Sequence, residues 1–267
     1  MQTVVLPTDF SGLARETMQY AAPIFSAHPI HFVLLHSYLA GSSAEALAQE
    51  AHVQEQLEKE LAYLRAAYPK HTFRGHAQEG DLDRVLSDQV EKNNADLLLM
   101  GTRGLQSGKY AFWGTHTSNA LQNVACSTLV IPEGSVLSGA QQIVFATDFA
   151  GDEPPEALEQ LLQIAQRLNA RLSVLHILPP QRSAGQDSLS GLRFLHEQKQ
   201  VPVSVHFTRS QEVMEGILQY IKYHPTDILA VLTRSRSLIE RLFHRSITKE
   251  LVLHSHVPLL ALHQKND

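Results

Sequence analysis

The hexapeptide Val5-Leu-Pro-Thr-Asp-Phe10 returns as Val144-Phe-Ala-Thr-Asp-Phe149, and Val33-Leu-Leu-His36 returns as Val174-Leu-His176 at nearly the same interval. Two later stretches repeat as well. Leu99–Gly104 matches Ala230–Ser235 and Ala111–Thr115 matches Leu242–Ser246, while Cys126–Ile131 matches Val257–Leu262. Repetition at this length marks a duplicated domain, since solenoid periods run only about 20–50 residues. The boundary falls in the Pro/Gly/Ser-containing stretch Pro132–Gln141, which predicts domains over 1–135 and 141–267.

Within each half, short apolar runs alternate with amphipathic stretches, the pattern of β-α units and a mostly parallel sheet covered on both faces. Strands are predicted at about 2–7, 31–37, 72–77, 96–100 and 127–131, and again at about 142–146, 171–177, 202–207, 227–232 and 258–262. The clearest helix runs from Ser43 to Tyr68. Leu57, Leu61, Leu64 and Tyr68 recur there at three- and four-residue spacing, and Glu55, Glu58, Lys59 and Glu60 are assigned to its other faces. The second half has fewer residues between its second and third strands, and Pro179–Asp187 reads as loop.

Composition narrows the partners. Of 267 residues, 43% are hydrophobic and 18% charged, and the formal net charge is −5 with no long basic run. That leaves no electrostatic footprint for nucleic acid or an anionic membrane. No apolar run approaches about 18 residues, and Met1-Gln2 leads straight into a strand, so neither a spanning helix nor a signal peptide is expected. The single Cys126 cannot form an intrachain disulfide, which fits a reducing cytoplasm.

Chemistry concentrates in residues 101–115, Gly-Thr-Arg-Gly-Leu-Gln-Ser-Gly-Lys-Tyr-Ala-Phe-Trp-Gly-Thr, between an apolar strand pattern and the short helix pattern Thr115–Gln122. Gly101 and Gly104 permit positive φ and close approach of a ligand, and Gly114-Thr115 place unpaired N–H groups and a hydroxyl at a helix start. An ordinary strand-to-helix loop would carry similar glycines. The run is not a P-loop, because only three residues separate Gly104 from Gly108-Lys109 and Tyr110 follows in place of Ser/Thr. It also lacks the G-x-G start of the dinucleotide fingerprint.

The order glycine, two residues, glycine, nine residues, glycine, Ser/Thr resembles the nucleotide loop of the universal stress protein family. Leu6-Pro-Thr-Asp-Phe-Ser11 and the second strand ending in His36 extend the resemblance over the whole chain as a tandem pair. It implies two Rossmann-like domains of the adenine nucleotide alpha hydrolase type. Each would be an open five-stranded parallel sheet with helices on both faces, and the two would form an intramolecular pseudo-dimer through their last strands, with further homodimerisation left open. It also implies a stress-response protein that binds ATP, or AMP or ADP, with Mg²⁺ accompanying ATP by bridging its phosphates.

By the same resemblance Pro7, Thr8 and Asp9 flank the adenosine, and Ser37 meets the adenine where the family usually has Val or Ile. Met100 and Gly101 border the ribose. Arg103, Gly104, Gly114, Thr115 and His116 belong to the loop that receives the phosphates. The second half has Leu232, Ser235 and Arg245 in place of Gly101, Gly104 and Gly114, so one nucleotide per chain is expected, in the first half.

The duplication separates fold residues from ligand residues. His36 and His176 close equivalent strands although only one half keeps the loop, which favours a hydrogen bond at the sheet end over catalysis or metal binding. Asp9 suits either nucleotide contact or helix capping. Arg234, Arg236, Arg241, His244, Arg245 and Lys249 form either an anion site or a solvated basic face, and His254-Ser-His256 lacks the further ligands of a metal site. Phe112 and Trp113 read as packing residues. No residue beside the loop is an obvious general base, so binding is expected, with slow ATP hydrolysis as the most that chemistry would add. A nucleotide-independent scaffold is the alternative function. An ATP pyrophosphatase is disfavoured, because its Ser-Gly-Gly signature is missing from the first strand.

Overall fold

The computed structural model describes residues 2–26, 28–39, 43–102, 115–135, 142–147, 155–178, 200–232 and 257–263. The first half contains β1 (Gln2–Pro7), α1 (Gly12–Ala21), β2 (Ile30–Tyr38), α2 (Ser43–Ala67), β3 (Thr72–Glu79), α3 (Leu82–Lys92), β4 (Leu97–Thr102), α4 (Thr115–Asn123) and β5 (Thr128–Pro132). The second contains β6 (Gln142–Thr147), α5 (Pro155–Arg167), β7 (Arg171–Leu178), β8 (Val203–Arg209), α6 (Val213–Tyr223), β9 (Ile228–Leu232) and β10 (Leu259–Leu262). All ten expected strands are present. Their order is β3-β2-β1-β4-β5-β10-β9-β6-β7-β8, a single ten-stranded sheet.

Each half is parallel throughout, and β5 meets β10 antiparallel with Leu259 opposite Val130, Leu260 opposite Leu129 and Ala261 opposite Thr128. The expected contact between Thr128–Ile131 and Leu259–Leu262 is therefore formed, and it makes the combined sheet mixed. Alternation along each strand divides the core between the two faces. Val4, Phe32, Leu34, Leu99 and Leu129 share one apolar cluster with Phe145, Val174 and Leu260, so the face bearing α1, α2 and α5 has a core continuous through both halves. The opposite face carries two clusters, one around Val5, Leu35 and Leu86 and one around Val144, Ile217 and Leu259.

Polar contacts also cross the seam. Ser127 donates its hydroxyl to Gln160 Oε1 at 2.6 Å, Gln160 donates to the carbonyl of Asp96 at 2.6 Å, and the His263 N–H donates to Ser127 Oγ at 2.9 Å. The duplication also extends to strand starts. Asp96 accepts the Thr3 N–H through its carboxylate and returns its own N–H to the Thr3 carbonyl, and Asp227 makes the same exchange with Gln142.

The α2 helix covers β2 and β3 through Leu57, Leu61 and Leu64, all buried. Glu60, assigned to a face other than that of the leucines, is nevertheless buried: it is 5% exposed and accepts Arg15 from α1 through both carboxylate oxygens, at 2.7–3.0 Å. Helical spacing alone gives no sign that a second helix brings a guanidinium there. That partner keeps the Glu60 charge tolerable despite burial, because an unpaired buried carboxylate is costly.

Two measurements check this packing. Leu260 has no exposed surface and sits at the seam, so Leu260→Ala should lower the unfolding free energy by about 2–5 kcal/mol in denaturant titration. His71 accepts the Ile30 N–H at its Nδ1, and burial, aided by Lys70, lowers its pKa. Its contribution is intact above the unfolded-state value of about 6.5 and is lost as pH falls through the lower folded value. Stability should thus drop as pH falls below about 6.5, and less steeply in His71→Asn, which keeps an acceptor without the titration.

Candidate functional site

The turn after β1 is built from its own side chains. Thr8 Oγ1 accepts the Phe10 N–H and Asp9 Oδ1 accepts the Ser11 N–H, each at 3.0 Å. Phe10 adopts φ +61°, a left-handed conformation that costs an aromatic residue on the order of 1–2 kcal/mol. Its ring stacks on His36 at 4.6 Å between centroids, and His36 Nδ1 bonds the Thr8 carbonyl at 2.7 Å. The repeat holds here, because His176 Nδ1 bonds the Thr147 carbonyl at 3.0 Å. Both histidines thus tie the end of the second strand to the end of the first. Asp9 does not hold the cap position of α1. Ser11 does, without a side-chain cap bond, and the Asp9 carboxylate closes the turn before it.

A second turn faces this one. Gly80 has φ +143°, open to glycine alone, and its N–H reaches the Tyr38 carbonyl at 2.9 Å. Asp81 then caps α3 by accepting the Asp83 N–H. Asp83 in turn brackets the start of α4, taking Asn119 Nδ2 at 2.6 Å with one oxygen and standing 3.7 Å from His116 Nδ1 with the other.

Between these turns and β4 lies a cleft of about 620 Å³. Of the candidate site residues, it brings Pro7, Thr8, Asp9, Ser37, Met100, Gly101 and His116 together in one wall. Thr115 begins α4 beside it. Arg103, Gly104 and Gly114 lie outside the described residues, as do Phe112, Trp113, the basic cluster Arg234–Lys249 and the pair His254 and His256. The sequence reading missed Ser11, Tyr38, Gly80, Asp81, Thr102 and Thr117 in the wall. A signal for part of this was present: Gly80-Asp81 follows a strand pattern and precedes an amphipathic run, as Thr8-Asp9 does.

Gly101 departs from its expected reason. It does not have the positive φ expected of it; it is a strand residue paired with Ile131, and an added Cβ would fall 2.9 Å from Leu13 Cγ and closer still to Thr17 Oγ1. The close approach that requires glycine is that of α1 on β4. In the second half Leu232 occupies the corresponding strand end, pairs with Leu262 and packs against the core.

The cleft suits a polyhydroxylated ligand. Ser11 Oγ and Thr102 Oγ1 are buried in its wall without a hydrogen-bond partner among the described residues. Among the described lining residues, the Asp9 carboxylate accepts the Ser11 N–H and the Asp81 carboxylate accepts the Asp83 N–H. Among the described residues, no group of His, Cys, Asp and Glu forms a metal site, and no helix is long and apolar enough to cross a membrane.

Comparison with known proteins agrees with this architecture. The model of the universal stress protein family matches residues 1–132 and again 139–263. Universal stress protein Sll1654 from Synechocystis is 27% identical over 136 residues, covering 49% of this chain and 85% of the relative. The crystal structure of a universal stress protein from Archaeoglobus fulgidus superposes with a TM-score of 0.71 at 17% identity, over 98% of this chain and 96% of that one. A family protein from Arabidopsis thaliana, with AMP bound, aligns over 51% of this chain and 94% of its own at 17% identity and a TM-score of 0.38. With both halves matched, the chain belongs to the universal stress protein family as a tandem pair of its domains.

Proposed function

We propose that the first half, residues 1–135, binds one adenine nucleotide, ATP or its mono- or diphosphate, and that the second half, residues 141–267, supports it without an equivalent site. We read the chain as a cytoplasmic stress-response protein acting through this binding. The observation that carries the reading is the position of the cleft. In the order β3-β2-β1-β4-β5 the winding reverses between β1 and β4, and ligands of open α/β sheets bind outside the carboxyl ends of the strands at that reversal. The lining residues Pro7–Asp9 and Met100–Thr102 are those two strand ends.

Size and chemistry support the reading. A volume of about 620 Å³ lies within the usual ligand-site range of about 300–1,000 Å³. The hydroxyls of Ser11 and Thr102, without a hydrogen-bond partner among the described residues, suit sugar hydroxyls, and the carboxylate charges of Asp9 and Asp81 disfavour phosphate at that end of the cleft. The phosphates are assigned to Arg103, Gly104 and Gly114, to the N–H groups opening α4 at Thr115 and His116, and to Mg²⁺ when ATP is bound. Leu232, where the first half has Gly101, supports a single site.

Calorimetric titration of the full chain with ATP should give one site; two equivalent sites would overturn the asymmetry. Gly114→Val should abolish ATP binding with the far-ultraviolet circular dichroism unchanged, because a branched side chain occupies the space where backbone approaches phosphate. Thr115→Ala removes a hydroxyl but keeps the N–H, so it should cost about 1 kcal/mol, several-fold in affinity, and weaken ATP more than adenosine. Undiminished ATP binding by Gly114→Val would displace the phosphate assignment. A chain that binds none of ATP, AMP or adenosine would favour a nucleotide-independent scaffold.

A further inference from the structure

The second half carries a cavity of its own at the opposite end of its strands. The amino ends of β6, β7 and β8 and the last turn of α6 enclose about 340 Å³. Its wall includes Arg171, Ser173, Ser204, His206 and His224, with no aspartate or glutamate among the described lining residues.

The duplication shows that this polarity is not a requirement of the fold. Ser173 occupies the place of Val33, which is 1% exposed in the first half; Ser173 is 5% exposed. A hydroxyl in such a position is costly unless bonded. Here it takes Gln142 Nε2 at 2.7 Å and lies 3.1 Å from Ser204 Oγ, which is itself 3.0 Å from His206 Nε2. A chain of hydroxyl and imidazole groups therefore runs from the core into the cavity.

The helix side has diverged in the same direction. At the end of α3, Asn93 Nδ2 caps the Gln89 carbonyl and also bonds the Gln89 side chain, which reaches Gln78. At the end of α6, His224 Nδ1 caps the Tyr220 carbonyl at 2.9 Å, and its ring stacks on Tyr220 at 3.9 Å between centroids. His206 packs edge-on against the same tyrosine at 5.4 Å. The nearby carboxylate of Asp227 faces the Gln142 backbone N–H at 2.9 Å. The negative end of the helix is thus partly occupied by the His224 donor, and Arg171 supplies an exposed guanidinium at the rim.

We propose that this cavity binds a small oxyanion-bearing molecule, a phosphate or a carboxylate, through Arg171 and the Ser173–Ser204–His206 chain. A guanidinium matches either oxyanion in paired geometry, and hydroxyl and imidazole groups complete the contact as donors. The site is independent of the nucleotide cleft, which is lined by other strands.

The test is an NMR titration of the full chain, following the ring C–H signals of His206 and His224, with inorganic phosphate and separately with succinate at matched ionic strength. Saturating shifts with a dissociation constant of about 1 mM or tighter for either anion support the site, and the tighter anion identifies the class. Arg171→Gln and Ser173→Val should each weaken binding by about tenfold or more, as expected for one lost charge-assisted or buried contact. Arg171 is exposed and valine already stands at the Ser173 position in the first half, so both variants should fold. Shifts that rise linearly without saturation, that sodium chloride reproduces, or that survive Arg171→Gln would overturn the proposal, as would the absence of shifts with both anions.

Discussion

The antiparallel ladder between β5 and β10 is the constraint on which the rest of the molecule depends. Each half alone would end in a short, wholly buried apolar strand with an unpaired edge: Leu129 to Ile131 in one, Leu259 to Leu262 in the other, all at most 3% exposed. Such an edge invites pairing with another chain. Joining the two edges removes both at once and makes one apolar face continuous across the halves. Because the halves run oppositely at the seam, the carboxyl ends of their strands point in opposite directions.

Much of this was legible in the chain. Strands buried on both faces read as unbroken apolar runs, so β1, β2, β4 and β5 and their copies stood out, and the repeat showed that β5 and β10 were equivalent. The ends of β2 and β3 were less clear. They run on to Tyr38 and Glu79 because nothing interrupts them before Gly80, although Gln78 and Glu79 look like loop residues. The burial of Glu60 was not legible because its environment depends on Arg15, forty-five residues away. The cleft wall was legible at the Thr8-Asp9 turn and at Met100-Gly101. Tyr38 was not legible, because it enters the wall through the pairing of β2 with β3, and Gly80-Asp81, which did carry a strand-to-helix turn signal, was not connected to the first turn for the same reason.

Gly101 shows how a correct position can be chosen for an incomplete reason. Its lack of a side chain is needed by the packing of α1, through Leu13 and Thr17, before any ligand is considered. That requirement still bears on the cleft, because Leu13 also lines it and the approach of α1 to β4 fixes the distance between the two strand ends. Leu232 in the second half therefore implies a different helix approach there, and with it a different strand-end geometry. Two copies of one domain can thus come to differ at a strand end through packing alone.

The two halves thus separate two ways of making polar surface on one sheet. In the first, part of the cleft wall is two turns, held by Thr8, Asp9 and Asp81 bonding to N–H groups two residues ahead, with Phe10 kept in a strained conformation by its stack on His36. Turns of this kind depend on residues that are neighbours in sequence, so a change at one position shifts the backbone of the next. In the second half, the described polar cavity is made from side chains on regular strands and a helix end, Ser173, Ser204, His206 and His224. Side chains on rigid elements can change one at a time without disturbing the ladder beneath them. The second half could therefore diverge at Ser173 and His224 while retaining the bonds that define the fold, the His176–Thr147 tie and the Asp227–Gln142 exchange.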